Sequence, residues 1–207
     1  MALMIEEGRA TMPDADAELM LRFQAGEVDA FETLFVRHSP SVVRFAFRFV
    51  HDREVAEELA QETFLRVHDA GPAYRPEAKF TTWLYRIATN VCLNEIRRPR
   101  YKLAHQSLDS TPAGNPDAFP LEIEDPHTAG ADVRLERDAL GRVIRKALSR
   151  LPEKQRLAFI LTKYQDLSYA EAASVMHTSE KAVKSLMHRA KQALAACLKD
   201  LLPDIVK

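Results

Sequence analysis

Residues 79–90 read KFTTWLYRIATN and place two cations, an indole and an amide within a dozen positions: Lys79, Trp83, Arg86 and Asn90. Aromatic rings stack on nucleic-acid bases, cations hold phosphates, and a side-chain amide both donates to and accepts from a base edge. These residue types together are typical of a surface that binds nucleic acid.

The same stretch also contains a helical packing stripe. Trp83, Ile87 and Val91 recur at i, i+4 and i+8. Such a stripe is more often part of a core than a platform for a ligand. We therefore assign Trp83 chiefly to packing, whereas the sequence leaves the roles of Phe80 and Tyr85 open.

A second set of polar residues lies near the carboxyl end. Lys181, Lys184, Ser185 and His188 follow the spacing i, i+3, i+4 and i+7, so they share one face of a helix that Ser179 can cap. A short helix and a tight turn precede it, which is the outline of a helix-turn-helix. We favour contacts to phosphates and base edges in a major groove over a merely solubilising face.

An acidic strip forms the third polar feature. The predicted helix DREVAEELAQETFLRVHDA carries on one face Glu54, Glu57, Glu58, Gln61 and Glu62, with few cations at the i+4 spacing that would neutralise them. Most strips of this kind are simply solvated. The alternative is a docking surface for a basic protein partner.

The chain shows no pattern typical of catalysis or of metal binding. His38, His51 and His68 are isolated, and there is neither a phosphate-cradling Gly loop nor a nucleophile constellation. Cys92 and Cys197 lie at apolar helical spacings, as buried thiols do. We expect no enzyme activity, no catalytic residue, no cofactor and no metal.

Composition indicates which elements position these residues. Of 207 residues 46% are hydrophobic and only six are Gly, and no apolar-polar alternation of strand type is sustained. We therefore predict an all-α protein. The amino terminus lacks the apolar stretch of a signal peptide, and no segment approaches the length of a membrane span, so we expect a cytoplasmic protein that is not inserted in a membrane.

The pattern of Pro, Gly and charge divides the chain into two small helical domains. Residues 99–132 are acidic, contain five Pro and lack helical periodicity, which predicts a flexible linker long enough to let two domains sit far apart. The predicted parts are an extension at 1–15, a first domain at 16–98, a second domain at 133–202 and a tail at 203–207. Residues 133–207 hold 15 Lys and Arg against 8 Asp and Glu, as a polyanion-binding module would.

Two extended stretches resemble a known family. DREVAEELAQETFLRVHD, followed by YRPEAKFTTWLYRIATNVCLNEIRR, resembles the sigma-two domain of bacterial sigma factors of the extracytoplasmic-function (ECF) group in the sigma-70 family. The segment LSRLPEKQRLAFILTKYQDLSYAEAASVMHTSEKAVKSLMHRAKQAL resembles the sigma-four helix-turn-helix of that family. The resemblance implies an alternative sigma factor that directs core RNA polymerase to promoters and promotes strand opening.

The resemblance also assigns partners and residues. Core polymerase, through its β′ and β subunits, is expected to bind the acidic strip through Glu57, Glu58, Gln61 and Glu62. The single non-template strand of the minus-ten element is expected to bind Tyr74, Arg75, Lys79, Arg86, Asn90, Asn94, Arg97 and Arg98. The duplex minus-thirty-five element is expected to bind Ser179, Lys181, Lys184, Ser185 and His188. Within the first set, Tyr74 would stack on or wall in an extruded base, Asn90 would read its edge, and the cations would hold phosphates. An anti-sigma factor, often membrane-bound in the family, is a further expected partner.

Three positions depart from the family pattern. His177 and Asp166 stand where many relatives have Gly, and Leu186 stands where the recognition helix often has Arg. A residue other than Gly can occupy a left-handed turn only at some conformational cost. The main rival interpretation is an autonomous helix-turn-helix repressor or activator, which explains residues 133–202 but not the first domain.

Overall fold

The computed structural model describes residues 14–98, 141 and 143–201, and within these ranges it contains helices and no strand, so the all-α prediction is confirmed. The predicted linker and carboxyl-terminal tail, and nearly all of the amino-terminal extension, lie outside the described residues. The helices are α1 Ala15–Gln24, α2 Val28–Val50, α3 Arg53–Ala70, α4 Phe80–Arg97, α5 Glu153–Lys163, α6 Tyr169–Val175 and α7 Glu180–Leu201. A short 3₁₀ turn, Gly71–Ala73, follows α3, and residues 143–149 are also helical.

Helices α1 to α4 form the first bundle, and two Asp side chains fix where helices of this bundle begin. Asp52 caps α3 through a 3.0 Å hydrogen bond from the Val55 amide, as its sequence position predicts. Asp14 serves two helices at once. One of its oxygens accepts from the Asp16 amide at the start of α1 (3.1 Å), and the other accepts from the Phe80 amide at the start of α4 (2.6 Å). The beginnings of α1 and α4 are therefore held together.

Aromatic and branched side chains fill the core of this bundle. Phe45, Phe49, Phe80, Leu34 and Leu84 are each at most 1% exposed. They come from α2 and α4, which pack with α1 and α3 so that the apolar stripe of each helix faces inward. Burial of one such side chain contributes about 1.5–3 kcal/mol relative to exposure, so the core is the main source of the bundle's stability.

The loop between α3 and α4 is tied to the end of α1. Gln24 donates through its side-chain amide to the carbonyls of Gly71 (2.7 Å) and Tyr74 (2.9 Å). Gly71 lies so close to α1 that a β-carbon there would approach a ring carbon of Phe23 to 2.7 Å. These contacts set the position of the loop that leads into α4.

Helices α5 to α7 form the second bundle, and capping residues predicted from the sequence also organise it. Ser168 and Glu171 form a capping box at α6, because the Ser168 hydroxyl accepts from the Glu171 amide and the Glu171 carboxylate accepts from the Ser168 amide. Ser179 accepts from the Ala182 amide at the start of α7. The apolar seam of α7 is buried as expected at Val183 and Met187.

Two residues that stand where relatives have Gly adopt the left-handed conformation. Asp166 has a φ of 51° and His177 a φ of 50°, in the turns that precede α6 and α7. A β-carbon is disfavoured there, although Asp and His tolerate the region better than branched residues do. Both turns therefore carry some conformational strain.

His177→Gly is expected to raise the free energy of unfolding by about 0.5–1 kcal/mol, because it removes the steric cost of the β-carbon at φ 50°. His177 is exposed, so the substitution removes little packing. Chemical denaturation of the full chain measures the effect. His177→Ala is the matched control and is expected to give no gain, since it keeps the β-carbon; equal stabilisation by both variants would contradict the explanation.

The two bundles pack against each other. Buried residues of both belong to one continuous apolar cluster, against which Trp83 and Ile87 of α4 and Tyr169 and Met176 of the second bundle are partly buried. Helix α4 lies against α6. The predicted linker would allow the domains to separate, but in this structure they form a closed arrangement.

Candidate nucleic-acid interface

One stripe of α4 collects the cations and amides that the sequence singled out. Lys79, at the N-cap, and Arg86 and Arg97 are separated by 7 and 11 residues, which are close to two and three whole helical turns. They therefore lie along nearly one line of the helix. Asn90 and Asn94 stand one turn apart between the two arginines, and both are exposed. The helix thus brings five of the eight predicted minus-ten residues together.

Residues of the second bundle engage all three cations of this stripe. Lys79 Nζ lies 2.9 Å from a Glu171 carboxylate oxygen, and an Arg97 nitrogen lies 2.7 Å from a Glu153 oxygen. Between them, the Arg86 guanidinium donates to the Ser174 hydroxyl at 2.8 Å. In the closed arrangement these cations are paired within the chain.

The ion pairs shift the pKa values of their members. The hydrogen bond to Glu171 raises the pKa of Lys79, and the hydrogen bond to Glu153 raises that of Arg97. Partial burial pushes the Glu171 pKa upward, but hydrogen bonds from Ser168 and Lys79 outweigh it and the net pKa is lowered. Lys79, Arg97 and Glu171 are therefore charged near neutral pH.

Tyr74 does not form an exposed stacking platform in this structure, in contrast to its predicted role. Its residue surface is only 4% exposed, and its ring packs edge-on against Trp83, with centroids 4.8 Å apart. The hydrogen bond from Gln24 to the Tyr74 carbonyl fixes the loop in this position. Burial, together with the charges of Asp14 and Asp16, raises the pKa of Tyr74 to about 12.

The remaining aromatic residues of the opening stretch are mostly structural. Phe80 is fully buried and Tyr85 is 4% exposed, with the Tyr85 hydroxyl 3.2 Å from that of Ser41, so the question left open by the sequence is answered as packing. Trp83 is half-buried against the apolar cluster, in agreement with its assignment to packing. The residues of this stretch that are left for the predicted strand contacts are therefore its polar ones.

Two predicted minus-ten cations lie off the contacts between the bundles. Arg75 is exposed in the loop before α4. Arg98, just after α4, is also exposed and pairs with Glu95 of the same helix at 2.7 Å. Both remain open to solvent in the closed arrangement.

The acidic strip of α3 is partly neutralised by two arginines of the same helix. Arg53 pairs with Glu57 at 2.8 Å and Arg66 pairs with Glu62 at 2.9 Å, each at the i,i+4 spacing. Arg53 precedes its carboxylate by four residues, and Arg66 follows its carboxylate by four, so only Arg66 has the i+4 position expected of a neutralising cation. Glu58 is exposed and, within the described residues, takes part in no ion pair.

Exposed apolar side chains adjoin this strip. Leu65 is 61% exposed and lies one helical turn beyond Gln61 on the outer face of α3. Phe35 of α2 is 39% exposed and packs edge-on against Phe64, with centroids 4.9 Å apart. A mixed acidic and apolar surface of this kind was not predicted from the sequence, because periodicity alone assigns such residues to the core.

The predicted face of α7 is exposed throughout. Lys181, Lys184, Ser185 and His188 all face solvent, and Lys184 pairs with Glu180 at 2.7 Å. Arg189 was missed by the sequence analysis although it is exposed and donates to the Ser185 hydroxyl at 2.9 Å. The sequence feature that predicts its place is the spacing of four residues from Ser185, which puts Arg189 on the same face of α7 and adds one cation to it.

Both cysteines lie within the described residues. Cys92 is buried and burial raises the pKa of its thiol to about 12, whereas Cys197 is half-buried, and both thiols are free. No group of His, Cys, Asp and Glu able to hold a metal ion occurs in residues 14–98, 141 and 143–201.

Comparison with known proteins places these surfaces in a family. The family model described as sigma-70 region 2 matches residues 34–101, and the one described as sigma-70, region 4 matches residues 141–194. The chain is also 31% identical over 193 residues to the RNA polymerase sigma-H factor of Pseudomonas aeruginosa, covering 92% of this chain and 97% of that protein. The chain belongs to the ECF group of sigma factors.

Other ECF relatives and solved structures agree with this membership. The sigma factor is 32% identical to SigM of Mycobacterium tuberculosis (89% of this chain, 85% of SigM) and 30% identical to SigW of Bacillus subtilis (85% and 92%). The structure of CnrH in complex with the cytosolic domain of CnrY matches with a TM-score of 0.65 and 25% identity, over 90% of this chain and 99% of CnrH. The sigma factor RpoE of Bartonella quintana, in complex with the anti-sigma factor NepR, matches in fold with a TM-score of 0.61, at 22% identity and over 82% and 96% of the two chains.

These findings confirm the predicted family, its helix-turn-helix and the function of an alternative sigma factor in transcription initiation. An autonomous repressor does not account for the sigma-70 region 2 match over residues 34–101. No helix among the described residues of the sigma factor has the length and apolar character needed to cross a membrane.

Proposed function

We propose that this ECF sigma factor binds core RNA polymerase through α3, reads the single-stranded minus-ten element with α4, and reads the duplex minus-thirty-five element with α7. The observation that carries the proposal is the single stripe of α4, on which two exposed amides lie between Arg86 and Arg97 and Lys79 stands at the start of the helix. In this proposal the sigma factor acts in the cytoplasm together with RNA polymerase, without catalysis or a cofactor of its own. It stabilises the opened promoter by binding one of the two DNA strands.

The proposed docking surface combines charge with exposed apolar area. Glu58, Gln61 and Leu65 follow each other at three- and four-residue spacings along the outer face of α3, and Phe35 adjoins them from α2 through its contact with Phe64. Apolar side chains at the centre of an interface supply affinity, while exposed carboxylates select a basic partner and speed its approach. This surface suits a basic helical segment of the β′ subunit.

The proposed strand-reading surface requires residues with separate tasks. Asn90 is exposed in the middle of the stripe and offers both a donor and an acceptor to an unpaired base. Cations on either side of it, Arg86 and Arg97, lie within reach of successive phosphates. Tyr74 acts in this proposal as a packed wall behind Trp83, since its ring is buried. Stacking on Tyr74 would require the loop to move away from Gln24.

The proposed duplex-reading surface is the exposed face of α7. Ser179 lies at the start of the helix, where backbone amides and a cap hydroxyl can meet a phosphate. Lys181 and Arg189 add charge, while Ser185 and His188 lie between them, where base edges would be read. Upstream duplex recognition by the second bundle thus complements strand recognition by the first.

Lys181→Ala is expected to weaken minus-thirty-five binding of the holoenzyme uniformly across DNA sequences and to reduce the salt slope of binding by about 0.9, the loss of one phosphate contact. Filter binding of promoter fragments between 50 and 200 mM salt measures the slope. Lys199→Ala, at the far end of α7, is the matched control with the same charge change. An unchanged slope for Lys181→Ala would remove this residue from the interface.

An anti-sigma factor is the further proposed partner. Support comes from the fold likeness to the sigma factor RpoE, whose structure includes the anti-sigma factor NepR.

Sequencing of transcript 5′ ends after overexpression of the chain tests the proposed function in cells. Transcripts that increase are expected to share two upstream motifs, one near minus ten and one near minus thirty-five. Expression of Asn90→Ala is expected to keep the upstream motif and to blur one position of the downstream motif. Induced transcripts without any shared upstream motif would contradict promoter recognition by this chain.

A further inference from the structure

The closed arrangement covers the strand-reading stripe with carboxylates of the same chain. Lys79 and Arg97 are 18 residues apart on α4, a distance of about 27 Å along the helix axis. Glu171 holds the first of them and Glu153 the second. Both carboxylates come from the second bundle. Negative charge therefore sits at both ends of the line that a DNA strand would follow.

Arg86, in the middle of the same stripe, has one hydrogen-bond partner but also a buried donor without one. Arg86 donates to the neutral hydroxyl of Ser174, and its Nε is buried without a hydrogen-bond partner in the described structure. A guanidinium is best satisfied by a carboxylate or a phosphate, which accept two parallel hydrogen bonds. The closed arrangement therefore leaves unused binding capacity for an anion at the centre of the stripe.

The ion pairs between the two bundles are individually weak. The side chains of Lys79 and Arg97 keep 66% and 57% of their surface exposed while paired, so solvent and salt screen both ion pairs. A cation–π contact between Arg48 and the Tyr164 ring, at 3.9 Å, and the apolar packing of the half-buried Trp83 also hold the two bundles together. An incoming polyanion can compete with such pairs.

We propose that the second bundle is an intramolecular competitor of the promoter strand, in which Glu153 and Glu171 occupy the phosphate-binding cations of α4 until the molecule opens. The free sigma factor is thereby self-inhibited for strand binding, and opening exposes the minus-ten surface. The inference rests on the proposed function of α4 and adds to it an intrachain control.

The test uses the full chain with Glu153→Gln and Glu171→Gln combined. Glutamine keeps the size of both side chains, and at position 171 it preserves the capping box, in which Gln replaces Glu without loss of the acceptor. Folding of α6 is therefore retained while the negative charge that faces each of the two cations is removed. Glu18→Gln combined with Glu32→Gln, two exposed residues of the first bundle, is the control with the same net charge change.

Binding is measured with a fluorescent pool of 20-nucleotide DNA single strands of random sequence, since phosphate contacts do not depend on base identity. Release of two cations is expected to steepen the salt slope of binding by about 1.4 and to raise affinity at 50 mM salt by about 2- to 30-fold. Small-angle X-ray scattering is expected to show a larger radius of gyration for this variant than for the control. Adding Lys79→Ala and Arg97→Ala is expected to abolish the gain.

The outcomes separate this inference from the proposed function. Self-inhibition would be overturned if the Glu153→Gln, Glu171→Gln variant had the affinity and the salt slope of the wild type. If Lys79→Ala with Arg97→Ala weakened binding in the same experiment, the strand-reading surface would stand. Binding unaffected by Lys79→Ala and Arg97→Ala in every background would overturn the assignment of α4 itself. The single variant Glu153→Gln, which lies outside the capping box, is expected to give half the change in slope.

Discussion

Glu58→Arg lowers the affinity of the sigma factor for core RNA polymerase by about 10- to 100-fold, the range for reversing one charge in the middle of a complementary interface. Glu58 is exposed on α3 and, within the described residues, has no cation of its own to repel the new arginine or to compensate for its loss. Reversal of its charge would place a cation against the basic surface proposed for the β′ subunit. Fluorescence titration of labelled chain with purified core polymerase measures the change.

The comparison of charge reversals distinguishes docking from a general loss of negative charge. Glu18→Arg, on the exposed face of α1, makes the same charge change away from α3 and is expected to leave core affinity within about twofold. Glu57→Gln is expected to have a smaller effect than Glu58→Arg, because Glu57 is already paired with Arg53. Normal holoenzyme assembly by Glu58→Arg would remove the docking assignment.

Asn90→Ala reduces open-complex formation at a cognate promoter by about 5- to 150-fold, the range of one bidentate base contact, while core affinity stays unchanged. The side chain is exposed in the middle of the α4 stripe and supports no hydrogen bond in the described structure, so its removal does not disturb the bundle. Discrimination at a single minus-ten base is expected to relax. Permanganate reactivity of unpaired thymines in the promoter measures opening.

Asn94→Ala is the matched variant for this prediction. Asn94 is the same residue type, is equally exposed and lies one turn further along α4. A loss of discrimination at a different base, or at none, is expected for it. If Asn90→Ala opens promoters with wild-type rate and selectivity, the base-reading role of Asn90 is contradicted.

Features governed by neighbouring residues were predictable from the sequence. The caps at Asp52, Ser168 and Ser179 depend on hydrogen bonds across three residues, and all three form as expected. The apolar stripes of the helices depend on helical periodicity and are buried as expected, except at Phe35 and Leu65. The exposed face of α7 followed from the same rule, although Arg189 was overlooked.

Features governed by distant residues were not predictable in the same way. Tyr74 is buried because its loop is held by Gln24, 50 positions earlier in the chain. The closed arrangement depends on Arg86 meeting Ser174, 88 residues away, and on Arg97 meeting Glu153, 56 residues away. A single sequence gives the charge of these partners but not their distance. The predicted linker explains why the bundles can meet, not where they do so.

Run-off transcription with purified core polymerase tests the central claim most directly. Core polymerase supplemented with the full chain is expected to start transcripts at discrete genomic sites that core alone and core with Glu58→Arg do not use. Restoration of the Glu58→Arg signal by excess protein would identify the defect as one of docking. Failure to initiate at any genomic promoter, together with tight binding of the chain to duplex operators in the absence of polymerase, would contradict the account.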